Sequence, residues 1–257
     1  MRRILAAGLA AVFAMALTGA LAGAAGAAEG EQPPAREWSF DGLFGAFDQA
    51  ALQRGYQVYS EVCSGCHGVK YLAFRNLGGI GLSAADIKAI AAEYEVEDGP
   101  DDEGEMFTRP ALPSDPLPRP YPNPQAARAA NNGALPPDLS LITKARKGGP
   151  DYVYALLTGY GEAPDDVEVA EDMSYNRYFP GHQIAMPQPL DDDAVEYTDG
   201  TKATKEQMAS DVTQFLMWAA EPNLDARKRI GVKTLLFLLI LTVLFYASKR
   251  KVWAKAH

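Results

Sequence analysis

Cys63-Ser64-Gly65-Cys66-His67 holds the only two cysteines among 257 residues, and no other stretch constrains the fold as strongly. C-x-x-C followed at once by histidine is the pattern of c-type haem attachment. Two thiols three positions apart at the end of a helix reach the two vinyl groups of one haem as thioethers. The next side chain then lies under the iron, where imidazole serves as the proximal ligand. A redox dithiol or half of a zinc site shares part of this spacing. A closed zinc site needs further N or S ligands, and the chain has no third cysteine. A thioredoxin-like motif would open a helix near a βαβ pattern, and no such pattern is visible. One covalent haem c is expected, and the core must form around it.

Both ends of the chain depart from globular composition. Met1-Arg2-Arg3 precedes an apolar, Ala/Gly-rich run from Ile4 to about Ala28. A positive start, an apolar middle and small residues at Ala25 to Ala28 describe a secretory signal over residues 1–28. The run is long enough for an N-terminal anchor, but its many Ala and Gly make it weakly hydrophobic, which favours cleavage. The net charge is −9, and removing this segment would take it to −11, because it carries two arginines and no acid. No nucleic-acid partner is expected of such a chain. Export suits the haem, since c-type haem is attached outside the cytoplasm in bacteria. With no further cysteine the exported domain has no structural disulfide.

At the other end, Ile230 to Ala247 is apolar apart from Lys233 and two threonines. Eighteen residues at 1.5 Å each span about 27 Å, close to the hydrocarbon thickness of a bilayer. Arg227-Lys228-Arg229 and Lys249-Arg250-Lys251 flank the run. These clusters nearly cancel as an orientation signal, so orientation follows from the exported N-terminus. The expected organisation is a signal over 1–28, a periplasmic haem domain over 29–224, an anchor helix over 225–250 and a cytoplasmic tail over 251–257. That places the protein in a bacterial inner membrane, in contact with membrane lipid.

Between the ends the pattern is helical with long loops. Asp48 can cap a helix running to about Val62, which delivers Cys63 at its end. Gly55 in mid-helix costs about 1 kcal/mol in propensity, so either a helix packs closely there or the glycine faces solvent. Ser83 to Asp86 has the form of a capping box, followed by Ile87, Ile90, Ala91 and Tyr94 on one face. The acid-rich stretch from Glu93 to Glu105 reads as an exposed loop. Nine prolines from Pro110 to Pro137 exclude regular structure over most of that stretch, and an ordered wrap over the haem is expected of it. A short helix follows from Asp151 to Thr158, then an acidic, polar loop over most of 161–203. A last soluble helix begins at Thr204, with Gln207 completing a capping box and Met208, Val212, Phe215 and Ala219 on its apolar face. No strand and no internal repeat are expected.

One proximal histidine leaves one iron position, and whether it is filled separates two classes of function. A filled site moves electrons, whereas an open one binds or activates small ligands. The candidates are His182, Met186, Met106, Met173 and Met208. Met208 and Met217 suit helix packing, and Met106 and Met173 adjoin acidic segments. Met186 lies in an irregular apolar segment that can face a haem, and His182 competes with it on chemical grounds.

Several stretches together resemble the cytochrome c1 family, the haem-c subunits of ubiquinol–cytochrome c reductase (cytochrome bc1) complexes. They are Cys63–His67, Asn132-Gly133-Ala134-Leu135-Pro136-Pro137-Asp138-Leu139-Ser140, Ala145 through Tyr160, Phe179-Pro180-Gly181 with Ile184-Ala185-Met186-Pro187, and the single C-terminal anchor. The resemblance covers nearly the whole mature chain. It implies a mostly α, class I cytochrome c-like domain with long loop insertions plus one C-terminal transmembrane helix. It also implies thioethers at Cys63 and Cys66, His67 with Met186 as axial ligands, and Arg146 with Tyr152 near a haem propionate. His182 matches no family ligand. Some bacterial members carry a disulfide before the methionine ligand, which this chain lacks. The implied role is an electron carrier and a subunit of an enzyme, doing no bond chemistry itself. It would take an electron from a Rieske iron–sulfur protein and pass it to a soluble cytochrome c, anchored beside cytochrome b. A membrane-tethered haem enzyme or gas sensor with an open sixth position is the competing class.

Overall fold

Helix α1, Gln49–Val58, begins where Asp48, in extended conformation, accepts hydrogen bonds from the N–H groups of Ala50 and Ala51. That satisfies two of the donors a helix start leaves without partners. The helix then widens into a π-helical turn, Tyr59–Cys63, closed by the Ser64 N–H on the Tyr59 carbonyl at 2.8 Å. The helical run therefore ends on the first cysteine, as expected, although its last turn is not α. In this computed structural model the described residues are 30–254 apart from Asp166. The expected signal, 1–28, and residues 255–257 of the expected tail lie outside the described residues.

The core is mostly helical. A 3-10 segment, Phe74–Ile80, follows the motif. Helix α2, Ala84–Ala92, is closed by the expected reciprocal cap between Ser83 and Asp86. Three further helices come next: α3, Pro124–Ala130, α4, Ile142–Ala145, and α5, Gly149–Thr158. Helix α6, Lys205–Ala220, is the most deeply buried, with Met208, Val212, Phe215 and Trp218 all in the core. It lies along α1, and α4 and α5 pack on it.

The α1–α6 contact rests on two features. A Cβ on Gly55 would lie 2.1 Å from the Asp211 carbonyl oxygen and 2.8 Å from Phe215 Cβ, so the glycine permits close helix approach rather than facing solvent. One residue earlier, Arg54 makes a two-pronged ion pair with the fully buried Asp211, Nε–Oδ2 at 2.8 Å and Nη2–Oδ1 at 3.1 Å. Its remaining nitrogen reaches Asp199 Oδ2 at 2.9 Å, and Gln207 Nε2 donates to both Asp211 oxygens. A buried carboxylate must be paired in this way to be tolerated.

Three local readings need correction. Strands exist: β1, Glu95–Asp98, pairs antiparallel with β2, Phe107–Pro110, and β3, Ser174–Tyr175, with β4, Gln183–Ile184. The charged β1 alternates exposed with half-buried side chains, but three of its four residues are acids, so no apolar alternation marked it in the sequence. Arg109, bonded to Asp98 and Asp115, holds that hairpin instead. The proline-rich stretch also contains a helix, α3, with Pro124 in its first turn and Asn123 as its cap, where a missing N–H costs nothing. Finally, Thr204 accepts from the Gln207 N–H, but the Gln207 amide turns to Asp211, so only half of that capping box forms.

The proline-rich stretch is ordered, as expected, because its backbone is tied to the segment after the motif. Leu117 N–H donates to the Leu72 carbonyl, Phe74 N–H to Asp115, Arg75 N–H to Pro113, and Leu139 N–H to Gly68. Helix α7, Leu224–Trp253, is the one helix among the described residues long and apolar enough to cross a membrane. Its side chains from Leu235 to Tyr246 are largely uncovered.

Candidate functional site

The motif forms a tight turn at the end of α1. The N–H groups of Cys66 and His67 both donate to the Cys63 carbonyl, at 3.1 and 2.9 Å. Ser64 Oγ closes back on the Ser60 carbonyl at 2.7 Å, and Tyr59 Oη donates to the His67 carbonyl at 3.1 Å. Both cysteines are free thiols, Cys63 partly buried and Cys66 exposed. Burial, with Cys66 nearby, pushes the Cys63 thiol up to about 12, so it is protonated at neutral pH and is not a ready thiolate. Among the described residues no cluster of three His, Cys, Asp or Glu could hold a metal ion, which leaves the zinc alternative without its remaining ligands.

His67 is oriented by a group the sequence did not single out. Its Nδ1 lies 2.7 Å from the Pro137 carbonyl oxygen. A carbonyl only accepts, so Nδ1 carries the proton and Nε2 keeps its lone pair. Burial holds the imidazole below its ordinary pKa, opposed by the Pro137 carbonyl and by Asp138, so the neutral form prevails at pH 7. Pro137 is itself fixed, because Asp138 accepts from the N–H groups of Lys70 and Ser140, and Ser140 Oγ accepts from Tyr71 N–H. The sequence signal was present in Pro136-Pro137-Asp138, but only the fold shows that a proline carbonyl selects the tautomer.

The remaining expected site residues form a second group. Tyr160 Oη donates to the Met186 carbonyl at 3.1 Å, and Met186 is partly buried. Tyr160 is raised by burial and by Tyr152 beside it. Tyr152 is raised by burial and eased back by the Arg146 guanidinium. Tyr160 is thus bonded to the Met186 backbone, with Tyr152 near Tyr160 and Arg146 near Tyr152, and Tyr160 is a residue that sequence reasoning missed. Arg146 is exposed and makes no ion pair among the described residues. The fully buried Asn176 anchors the loop, donating to the Leu156 carbonyl at 2.8 Å and accepting from the N–H groups of Tyr178 and Phe179.

The other sulfur and imidazole candidates differ in setting, and Met173 is half-buried. Met208 is fully buried in the core and Met106 is exposed. His182 has a φ of +59° and stacks on Tyr175 with ring centroids 5.9 Å apart.

The model of the Cytochrome C1 family matches residues 38–256. The chain belongs to the Cytochrome C1 family. Among its relatives, cytochrome c1 of Rhodospirillum rubrum is 52% identical over 95% of this chain and 96% of its own length. The mitochondrial cytochrome c1, heme protein, of Schizosaccharomyces pombe is 54% identical over 84% of this chain and 71% of its own. Cytochrome b/c1 of Bradyrhizobium diazoefficiens is 52% identical over 88% of this chain, which spans only 36% of that longer protein.

The residues present fit the haem that the family name implies. Two thiols at C-x-x-C spacing, one of them exposed, adjoin a neutral imidazole whose Nε2 is free to ligate iron. Leu135 and Leu141, flanking the segment that orients the imidazole, are exposed, as is apolar surface meant to lie against a large apolar group.

Proposed function

We propose that the chain is the haem-c, electron-transfer subunit of a cytochrome bc1-type complex, held by α7 in a bacterial inner membrane. Its haem domain lies in the periplasm and its C-terminus in the cytoplasm. The observation that carries this reading is the His67 imidazole, fixed by the Pro137 carbonyl directly after two thiols at C-x-x-C spacing. When bound, haem c supplies a one-electron couple whose potential its axial ligands set.

Each residue then has a physical task. Cys63 and Cys66 would hold the haem as thioethers, and His67 Nε2 would ligate its iron. Met186 would supply its thioether sulfur as the other iron ligand, and Tyr160, by holding the Met186 carbonyl, keeps its loop in position. A thioether favours ferrous over ferric iron and raises the potential, which suits an acceptor late in a quinol-oxidising chain. Arg146 and Tyr152 pair with a propionate, whose charge needs compensation where it leaves water.

The partners follow from the family. The electron arrives from a Rieske iron–sulfur protein and leaves to a soluble cytochrome c. The relative named cytochrome b/c1 supports a position beside cytochrome b, since this chain accounts for only 36% of it. The chain does no bond chemistry itself.

The test is a reduced optical spectrum with and without carbon monoxide. The parent chain should ignore the gas, as a six-coordinate low-spin haem does. Met186→Leu should open the sixth position to carbon monoxide or let a substitute ligand bind at much lower potential. His182→Ala should leave the spectrum and potential nearly unchanged. If His182→Ala perturbs the haem and Met186→Leu does not, the ligand assignment fails.

A further inference from the structure

The loop before α1 exposes two large apolar side chains on a rigid base. Phe44 is 84% exposed, the most of any large hydrophobic residue described, and its neighbour Leu43 is 56% exposed. The ends of the loop are buried: Phe40 and Phe47 lie in the core with ring centroids 5.2 Å apart. Asp41 N–H donates to the Trp38 carbonyl, Ala46 N–H to Ser39, and the Asp41 carboxylate accepts from Trp38 N–H at 2.9 Å. Gly42 takes a φ of +67°, and a Cβ on Gly45 would meet the Asp41 carbonyl oxygen at 1.9 Å. A turn this tight presents its tip in one direction.

The same loop is bound to the start of α7. Lys228 Nζ donates to the carbonyls of Phe40 and Gly45, the latter at 3.1 Å. The Asp225 carboxylate accepts from the Phe47 N–H at 3.3 to 3.4 Å. Lys228 precedes Ile230, the first residue of the apolar run, by two positions, or about 3 Å of helix rise. The headgroup layer on each side of a bilayer is roughly 5–7 Å deep. A loop clamped at Lys228 therefore lies in that layer, near Arg229, whose charge matches anionic headgroups, while Arg227 is paired with Glu221.

We propose that the Asp41–Gly45 loop is a second membrane contact, seating Leu43 and Phe44 at the headgroup–acyl boundary next to the anchor helix. The occupant of this surface is lipid. An exposed apolar pair next to a basic residue and continuous with a membrane span suits an interfacial anchor. Two contacts on one rigid base would hold the haem domain at a set tilt, which a single helix free to rotate about its axis would not. The proposal rests on reading α7 as the membrane anchor.

The test places a nitroxide label at Phe44→Cys, with Asp102→Cys in the acidic hairpin as aqueous reference and Phe237→Cys in α7 as bilayer reference. The full chain is reconstituted in phosphatidylcholine–phosphatidylglycerol vesicles, and the parent chain, labelled in parallel, sets the background. Collisional relaxation by oxygen and by a water-soluble nickel chelate reports depth. The label at position 44 should favour oxygen over nickel, intermediate between positions 102 and 237. If position 44 behaves like 102 while 237 lies in the bilayer, the loop proposal falls and the anchor stands. If 237 also behaves like 102, the anchor reading falls and takes the proposal with it. A label at 44 shielded from both reagents would mean that protein covers the loop, a second copy of the chain, and would overturn the lipid assignment.

Discussion

Replacing Gly55 by alanine separates helix propensity from packing. In an isolated helix the change stabilises by about 1 kcal/mol. Here the added Cβ would start 2.1 Å from the Asp211 carbonyl oxygen, and real Cβ contacts essentially never fall under 3.0 Å. The helices must therefore separate by about 0.9 Å at that point. The obstacle is backbone, so no rotamer change relieves it. Separation loosens the buried Tyr56 and Tyr59 against Phe215 and lengthens the bonds from half-buried Arg54 to buried Asp211. Overpacking of this kind costs roughly 1–3 kcal/mol, and a backbone obstacle beside a buried ion pair belongs at the upper end. Net of propensity, about 2 kcal/mol should be lost. For a domain of this size that lowers the melting midpoint by roughly 4–8 °C. The assay is thermal unfolding of Gly55→Ala and of Gly78→Ala, where the new Cβ meets only Ile87 Cδ1, at 3.7 Å. A Gly55→Ala midpoint at or above that of the parent would refute the argument that glycine is required for helix approach.

Asp199 is held down to about 2 by the Thr201 N–H and by Arg54, against about 3.9 for an unfolded aspartate. A depressed folded pKa contributes stability that is present above the unfolded value and is lost as pH falls through the folded one. The gap in unfolding midpoint between the parent and Asp199→Asn should therefore be full at pH 7 and close between about pH 4 and 2; a gap independent of pH would contradict this. The acidic clusters at Glu93–Glu105, Asp165–Asp172 and Asp191–Glu196, on a chain of net charge −9, should together steer a basic electron acceptor. Transfer to a basic cytochrome c should slow by roughly tenfold as salt rises from 0.05 to 0.3 M, and a rate indifferent to ionic strength would remove acidic docking.

What the sequence determined by itself was mainly local. The Asp48 cap, the Ser83–Asp86 box, the helix between Pro150 and Gly159 and the apolar run beyond Arg229 each depend on neighbours within a few positions, where spacing and residue type carry the physics. The haem motif is local in the same sense, since two thioethers and an imidazole must come from one turn. The helical class follows from these elements. Tertiary structure decided what depends on groups far apart in the chain. Glu95–Asp98 is a strand only because Phe107–Pro110 lies opposite and Arg109 pairs with Asp98. The side of Gly55 that matters is set by Asp211, 156 residues later. Gln207 leaves its cap because a buried carboxylate competes more strongly for its amide. The tautomer of His67 is chosen by Pro137, and the Met186 loop is held by Tyr160. No periodicity encodes such pairings, because a hydrogen bond between distant residues exists only once the backbone has brought donor and acceptor within 3 Å.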